Sequence, residues 1–183
     1  MTLPYPFKIV VIGPESTGKS SLCQALATAY HTLWCPEYAR RYLEEKKLDT
    51  HYGESDLLAI AKGQLTEEDA FLRKAQERKD RFLFIDTDMY VMKIWSEFSF
   101  GKCHHWILEQ IAARRYDYYL LCDIDLPWTA DPLREYPDLA MRLNLFNHYK
   151  DLLSQQSTPF SVIGGQGESR IAHARHALKK HFS

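Results

Sequence analysis

The chain has little cysteine. Its 183 residues include four cysteines and no C-x-x-C pair: Cys23, Cys35, Cys103 and Cys122. Structural zinc sites and disulfide frameworks usually bring cysteines together in closely spaced pairs, so this spacing argues against both. Because nothing in the sequence requires an oxidising environment, we expect the protein to be cytoplasmic.

The sequence also lacks long apolar runs and any excess of one charge. No stretch of about 18 apolar residues could form a membrane-spanning helix. Residues 1–6 lead almost directly into the first apolar run, without the charged-then-apolar pattern of a signal peptide. The net charge of -1 argues against a general nucleic-acid binder, which would present a basic face. We therefore expect no membrane and no nucleic acid as partner.

What the chain does contain is a complete phosphate-binding loop. Residues 13–20 read Gly-Pro-Glu-Ser-Thr-Gly-Lys-Ser and match G-x-x-x-x-G-K-[ST] without a mismatch. The glycines let backbone N–H groups point at phosphate oxygens, Lys19 supplies positive charge, and the Ser20 hydroxyl is a hard ligand for Mg²⁺. The residues predicted to bind the nucleotide here are Gly13, Glu15, Ser16, Thr17, Gly18, Lys19, Ser20 and Ser21.

Strand-like and helical segments alternate along the whole chain. Strands are predicted over residues 7–12, 32–36, 81–86, 116–122 and 159–163. Helical spacing of apolar residues predicts helices from the phosphate loop to Tyr30 and over 54–79, 88–98, 104–115, 138–155 and 168–181. This alternation predicts one α/β domain over residues 1–183, with a mainly parallel five-stranded sheet and helices on both faces.

Charged side chains follow the predicted strands, where ligands bind in such sheets. Asp86 ends the third strand and is predicted to hold the water shell of Mg²⁺ opposite Ser20. Thr87 is interpreted as a spacer. Asp88 is predicted either to touch the substrate or to cap the next helix.

Glu37 directly follows the second strand. It is either the general base that accepts a proton from an attacking hydroxyl or a solvated acid at a helix start. Arg40 lies three positions further on, so it shares a helix face with Glu37. It would hold the acid, clamp a phosphate or form a surface ion pair.

The segment 124–142 has the features of a lid. It contains prolines that stiffen it, Trp128 as a stacking face, and the arginines Arg134 and Arg142. Kinases of small molecules close an arginine-bearing lid over the phosphates to exclude water. The alternative is a rigid surface loop with its tryptophan packed on the core. After the fifth strand, Gln166 lies in a glycine-rich turn that is either close to an adenine ring or a plain turn.

Several motifs occur together in one order: residues 13–20, Glu37-Tyr38-Ala39-Arg40, Ala61-Lys62-Gly63-Gln64, Ile85-Asp86-Thr87-Asp88, and Pro-Trp-x-x-Asp-x-x-Arg at 127–134. With this set the chain resembles the ribosylnicotinamide kinase domain of NadR-type proteins. That family commonly has a tryptophan before its acid, whereas this chain has Pro36 there and Trp34 two positions earlier.

The resemblance implies the three-layer fold of P-loop nucleoside and nucleotide kinases, with ATP and Mg²⁺ as cofactors. It implies phosphorylation of the 5′-hydroxyl of nicotinamide riboside or a similar nucleoside. The roles expected are catalysis by Lys19, Glu37, Asp86 and Arg134, metal binding by Ser20 and Asp86, and substrate binding by Glu37, Tyr38, Arg40, Asp88 and Trp128.

Two other functions stay open on the sequence. One is a P-loop NTPase that acts as a switch or scaffold with slow hydrolysis, although the missing N-K-x-D sequence argues against an ordinary GTPase. The other is a kinase of another nucleoside or of a nucleoside monophosphate, which would share the same catalytic parts.

Overall fold

The computed structural model describes residues 6–47 and 51–183, so residues 1–5 of the leading segment considered above lie outside it. Five strands form one sheet in the order β2-β3-β1-β4-β5, and every neighbouring pair is parallel. The strands are β1 (Phe7–Ile12), β2 (Leu33–Cys35), β3 (Phe82–Asp86), β4 (Tyr118–Cys122) and β5 (Phe160–Ile163). The predicted parallel five-stranded sheet is therefore confirmed.

Helices cover both faces of this sheet. They are α1 (Lys19–Tyr30), α2 (Tyr38–Lys46), α3 (Glu54–Arg78), α4 (Met89–Phe100), α5 (His105–Ala113), α6 (Leu139–Ser154) and α7 (Glu168–Phe182). The side chains of β1 alternate between the faces: Ile9 and Val11 join the core beside α1 and α7, and Val10 joins the core beside α3, α4 and α6. The three-layer arrangement follows from this alternation.

The central place of β1 determines what surrounds the phosphate loop. β1 lies between β3 and β4, so the loop that follows it is flanked by Asp86 and Cys122. A side chain at Gly13 would approach the carbonyl oxygen of Cys122 within 2.9 Å, and the φ of Gly13 is +144°. Only glycine fits where the phosphate loop passes the backbone of Cys122, because both the space and the backbone conformation exclude a Cβ atom.

Among residues 6–47 and 51–183, no helix is both long enough and apolar enough to cross a membrane.

Candidate active site

The carboxyl ends of β1 and β2 open onto a cavity of about 230 Å³. The phosphate loop and the first residues of α1 form one wall of this cavity. Of the residues predicted to bind the nucleotide, those from the loop and α1 line it: Gly13, Glu15, Ser16, Thr17, Gly18, Lys19, Ser20 and Ser21. Gln166 does not.

The phosphate loop places positive charge along one side of the cavity. Gly18 adopts a left-handed conformation (φ 75°) at the N-cap of α1, so the first amides of that helix lie at the loop. The Lys19 ammonium donates to the carbonyl oxygen of Pro14 at 3.0 Å, and the Thr17 hydroxyl donates to the same oxygen at 2.7 Å. A helix N-terminus and an ammonium group at one place favour a bound phosphate.

Asp86 lies behind the loop, fully buried at the end of β3. Neither of its carboxylate oxygens has a hydrogen-bond partner among the described residues. Burial and, to a smaller extent, the charge of Glu37 together raise its pKa from 3.8 to about 7, against the lowering effects of Lys19 and Ser20. A buried carboxylate without donors fits the water shell of Mg²⁺, and the Ser20 hydroxyl beside it fits a direct ligand.

Glu37 lines the same cavity from the other side. It stands at the N-cap of α2 with extended backbone (φ −66°, ψ 120°), but its side chain makes no capping hydrogen bond. The carboxylate is therefore free of the helix end and available to a ligand. The hydroxyl of Thr87 lies 3.4 Å from its Oε1 atom.

Arg40 also lines the cavity, and among the described residues it forms no ion pair with Glu37. Its guanidinium contacts the carboxylate of Asp131 at 2.9 Å and that of Glu44 at 3.4 Å. Asp131 belongs to the segment 124–142, so Arg40 connects α2 to that segment.

The segment 124–142 is docked on the phosphate loop by polar contacts. The Oε2 atom of Glu15 accepts hydrogen bonds from the backbone N–H groups of Glu135 at 2.9 Å and Tyr136 at 3.2 Å. The hydroxyl of Ser16 accepts one from the N–H of Thr129 at 2.9 Å. Burial raises the pKa of Glu15, and the two backbone donors oppose that rise. Glu15 of the loop thus binds the backbone of the segment 124–142.

The two arginines of this segment have different surroundings. Arg134 lines the cavity, and its guanidinium donates to the carbonyl of Thr129. Arg142 is only 4 % exposed and donates to the carbonyls of Ser16 and Leu126. Arg134 is therefore the arginine of this segment that lines the cavity, whereas Arg142 connects the segment to the loop.

Besides Asp88, three predicted substrate or nucleotide residues do not line the cavity. Trp128 is half-buried beside the Arg142 guanidinium, 5.7 Å from its ring centroid. The ring of Tyr38 packs on Gly63, where an added Cβ atom would come within 2.2 Å of it. Gln166 is exposed in a turn closed by Ser169. Trp128 and Tyr38 are thus packed against other parts of the protein, and Gln166 is exposed to solvent.

Asp88 is a helix cap in this structure and does not line the cavity at the phosphate loop. Its Oδ1 accepts from the N–H of Tyr90 at 3.0 Å, and its Oδ2 accepts from the hydroxyl of Tyr119 at 2.7 Å. Burial raises its pKa to about 6. Of the two interpretations of Asp88, the structure supports the cap, because both carboxylate oxygens are used inside the protein.

Gln64 is a site residue to which sequence reasoning assigned no role. It is 1 % exposed, and its Oε1 accepts from the N–H of Tyr38 at 2.8 Å. Its Nε2 donates to the carbonyl of Asp86 at 3.4 Å. One amide on α3 therefore holds the backbone next to both Glu37 and Asp86. The motif Ala61-Lys62-Gly63-Gln64 was the available signal, but its spacing alone indicates no partner.

Arg170 on α7 is a second such residue. It is 4 % exposed and donates to the carbonyls of Thr17 at 2.9 Å, Asp123 at 3.0 Å and Gly165 at 2.7 Å. It also pairs with the carboxylate of Asp125 at 2.7 Å. Through these hydrogen bonds, this arginine connects the phosphate loop to the glycine-rich turn after β5.

Aromatic side chains also line the cavity. Trp95 and Phe98 of α4, Tyr136 of the segment 124–142 and Tyr149 of α6 line it. The indole N–H of Trp95 donates to the hydroxyl of Tyr52 at 2.6 Å, so the ring is held in place. Trp34 instead packs against the core beside α1 and α7.

Comparison with known proteins agrees with this fold. A family model described as an AAA domain matches residues 8–170. The trifunctional NAD biosynthesis/regulator proteins NadR of Salmonella typhimurium and Escherichia coli are both 26% identical over 156 residues, which covers 83% of this chain and 37% of each relative. The chain thus spans little more than a third of the length of these curated relatives. The NadR resemblance inferred from the motifs is confirmed.

Solved structures show the same fold. A crystal structure of NadR protein in complex with NR superposes with a TM-score of 0.76 at 20% identity, covering 97% of this chain and 51% of that one. NadR protein in complex with NAD and AMP-PNP gives 0.75 at 20% identity, with 97% and 49% covered. Thymidylate kinase from Ehrlichia chaffeensis gives 0.66 at 13% identity, with 98% and 100% covered. The expected P-loop kinase-like fold is confirmed.

Proposed function

This chain belongs to the AAA-domain family, and we propose that it is an ATP- and Mg²⁺-dependent kinase that phosphorylates the 5′-hydroxyl of nicotinamide riboside or a similar nucleoside. One observation carries the proposal. A single cavity joins a complete phosphate loop, the carboxylate of Glu37 and an aromatic pocket. The match to NadR proteins, including structures with NR and with AMP-PNP, supports the choice of acceptor and nucleotide.

The phosphate end binds and neutralises charge. The amides of the loop and the Lys19 ammonium would receive the triphosphate, and Ser20 and Asp86 would hold Mg²⁺ directly and through water. When bound, the metal offsets negative charge on the phosphates. Arg134 adds a second cation from the segment 124–142, which we propose acts as a lid that keeps water from the phosphates.

Glu37 would act as the general base. Its carboxylate takes the proton of the acceptor hydroxyl while that oxygen forms a bond to the γ-phosphorus. The bond from the γ-phosphorus to the bridging oxygen breaks, and ADP leaves with that electron pair. Because positioning and electrostatics supply most of the catalysis in this reaction class, the rigid support of Glu37 by α2 matters as much as its charge.

The aromatic side chains that line the cavity would contact the base of the nucleoside. Trp95, Phe98, Tyr136 and Tyr149 offer apolar ring surface, which suits a planar heterocycle. Pro36 replaces the tryptophan that NadR-type kinases commonly have before the acid, and Trp34 is packed elsewhere. In this chain the stacking surface would therefore come from α4, α6 and the lid.

The proposal is tested by incubating the protein with ATP, Mg²⁺ and a panel of nucleosides and nucleoside monophosphates, followed by mass analysis of the products. We expect phosphorylated nicotinamide riboside or another nucleoside, and no product from the Lys19→Met variant. A phosphorylated monophosphate would assign the kinase to the other acceptor class. Release of ADP that does not depend on any acceptor would contradict the kinase and favour an NTPase switch.

A further inference from the structure

Thr87 has a backbone conformation that its side chain disfavours. Its φ is +79°, and the residue is only 1 % exposed. Of the other described non-glycine residues with positive φ, Ser16 lies in the phosphate loop, and three end helices at φ values between 53° and 62°: His31, Lys47 and Lys79. Thr87 is β-branched and directly follows a strand, so it is the outlier among them. Glycine would adopt this φ without strain.

The surrounding contacts force this conformation on the turn. The N–H of Thr87 donates to the carbonyl of Val11 in β1 at 3.3 Å, and Gln64 donates to the carbonyl of the preceding residue at 3.4 Å. On the other side, both carboxylate oxygens of Asp88 are bound, one of them by the hydroxyl of Tyr119. Strain persists only where neighbouring structure determines it in this way, and such sites cluster where function needs them.

The result of the strained turn is the position of the Thr87 hydroxyl, 3.4 Å from Oε1 of Glu37. Within residues 6–47 and 51–183, no other side chain is within hydrogen-bonding distance and geometry of the Glu37 carboxylate. We propose that Thr87 is a positioning residue for Glu37, which holds one carboxylate oxygen so that the other faces the acceptor hydroxyl. This inference rests on the proposed kinase function, and it replaces the interpretation of Thr87 as a spacer.

The test compares Thr87→Val, which keeps the shape and removes the hydroxyl, with Thr87→Ser, which keeps the hydroxyl. We expect Thr87→Val to lower kcat ~10-fold with the KM for ATP unchanged, since one hydrogen bond to a charged group is lost. Thr87→Ser should stay within about threefold of the wild type. In a Glu37→Gln background, Thr87→Val should change kcat less than about twofold, because the residue acts through Glu37.

An equal loss of kcat from Thr87→Val in the wild-type and Glu37→Gln backgrounds would overturn the inference. So would a Thr87→Ser variant as slow as Thr87→Val. Thermal unfolding of the same four proteins gives a readout that needs no activity. The effects of Thr87→Val and Glu37→Gln on the free energy of unfolding should be non-additive. Additive effects would show that the two side chains do not interact. If no acceptor is phosphorylated, the proposed function fails, and this unfolding cycle still decides whether Thr87 holds Glu37.

The strain itself is tested with a second pair of variants. Thr87→Gly should unfold at a higher temperature than Thr87→Ala, because only glycine is relaxed at this φ. If Thr87→Ala unfolds at the higher temperature, the turn is unstrained and the argument for a functional side chain is lost.

Discussion

Replacing Asp86 by asparagine should stabilise the metal-free protein at pH 8. The carboxylate is fully buried, and neither oxygen has a donor among the described residues. Burial and the charge of Glu37 raise its pKa from 3.8 to about 7. At ~1.4 kcal/mol for each pKa unit, the ionised form costs the folded state ~4 kcal/mol. Asparagine removes that charge with almost no change of shape.

The net gain is smaller than the cost of the charge. The asparagine amide is also polar and buried, and leaving it without partners costs ~1–3 kcal/mol. About 1–3 kcal/mol of stabilisation therefore remains. For a chain of 183 residues, ~1 kcal/mol changes Tm by ~2–4 °C, so we expect an increase of about 5 °C.

The effect should depend on pH in a defined direction. The folded protein binds the Asp86 proton more tightly than the unfolded chain, because the folded pKa is the higher one. The stability that this proton contributes is complete below the unfolded value of 3.8 and is lost as pH rises through about 7. The difference in Tm between Asp86→Asn and wild type should therefore be large at pH 8 and small at pH 5.

Thermal unfolding of metal-free protein at both pH values measures this difference. Asp151→Asn, which removes an exposed acid of α6, is the matched control and should leave Tm within about 1 °C. Mg²⁺ with a non-hydrolysable ATP analogue should stabilise the wild type more than Asp86→Asn. A variant less stable than wild type at pH 8, or a difference that is the same at both pH values, would refute the reasoning.

The other predictions concern the two ends of the cavity. Glu37→Gln should bind an ATP analogue within about twofold of wild type by calorimetry but lower phosphoryl transfer at least ~100-fold, because only the proton acceptor is lost. Glu15→Ala should raise acceptor-independent ATP hydrolysis and the rate of proteolysis within residues 124–142, because the lid loses two hydrogen bonds to the phosphate loop. Arg170→Lys should raise the KM for ATP several-fold more than the KM for the nucleoside, because an ammonium cannot hold all the carbonyls that the guanidinium reaches. Trp95→Ala should raise the KM of the nucleoside ~10-fold with that of ATP unchanged, because it removes ring surface from the acceptor end only.

Each of these outcomes has an opposite that would count against the site. Full turnover by Glu37→Gln would remove the general base from the mechanism. Unchanged hydrolysis in Glu15→Ala would mean that the lid closes without the loop. An equal rise of both KM values in Arg170→Lys or Trp95→Ala would indicate a general structural defect in place of a defined contact.

The phosphate-binding part of the site could be predicted directly from the sequence. The residues of the loop are consecutive, and their chemistry depends on local backbone geometry and on the helix that begins at Lys19. The same is true of the strands, whose apolar runs lie at or within two residues of the predicted bounds. Asp86 and Glu37 were found because parallel strands end on one edge of the sheet.

The part of the site proposed to bind the phosphate acceptor could not be predicted in this way. Trp128 and Tyr38 were chosen for their chemistry, but they pack outside the cavity, and the aromatic residues that line it come from α4, α6 and the segment 124–142. Apolar residues on a helix have the same spacing whether they face a core or a ligand, so periodicity could not separate Trp95 from its buried neighbours.

The order of the residues by itself therefore determined the sheet, the phosphate loop and the two acids at the strand ends, because all of these depend on local spacing. Tertiary structure alone decided that Tyr119 binds Asp88, that Gln64 and Arg170 support the site from distant helices, and that Thr87 contacts Glu37. These contacts join residues as far as 153 positions apart. Only the packed fold brings such residues within hydrogen-bonding distance, because no local preference of the chain refers to a partner so far away.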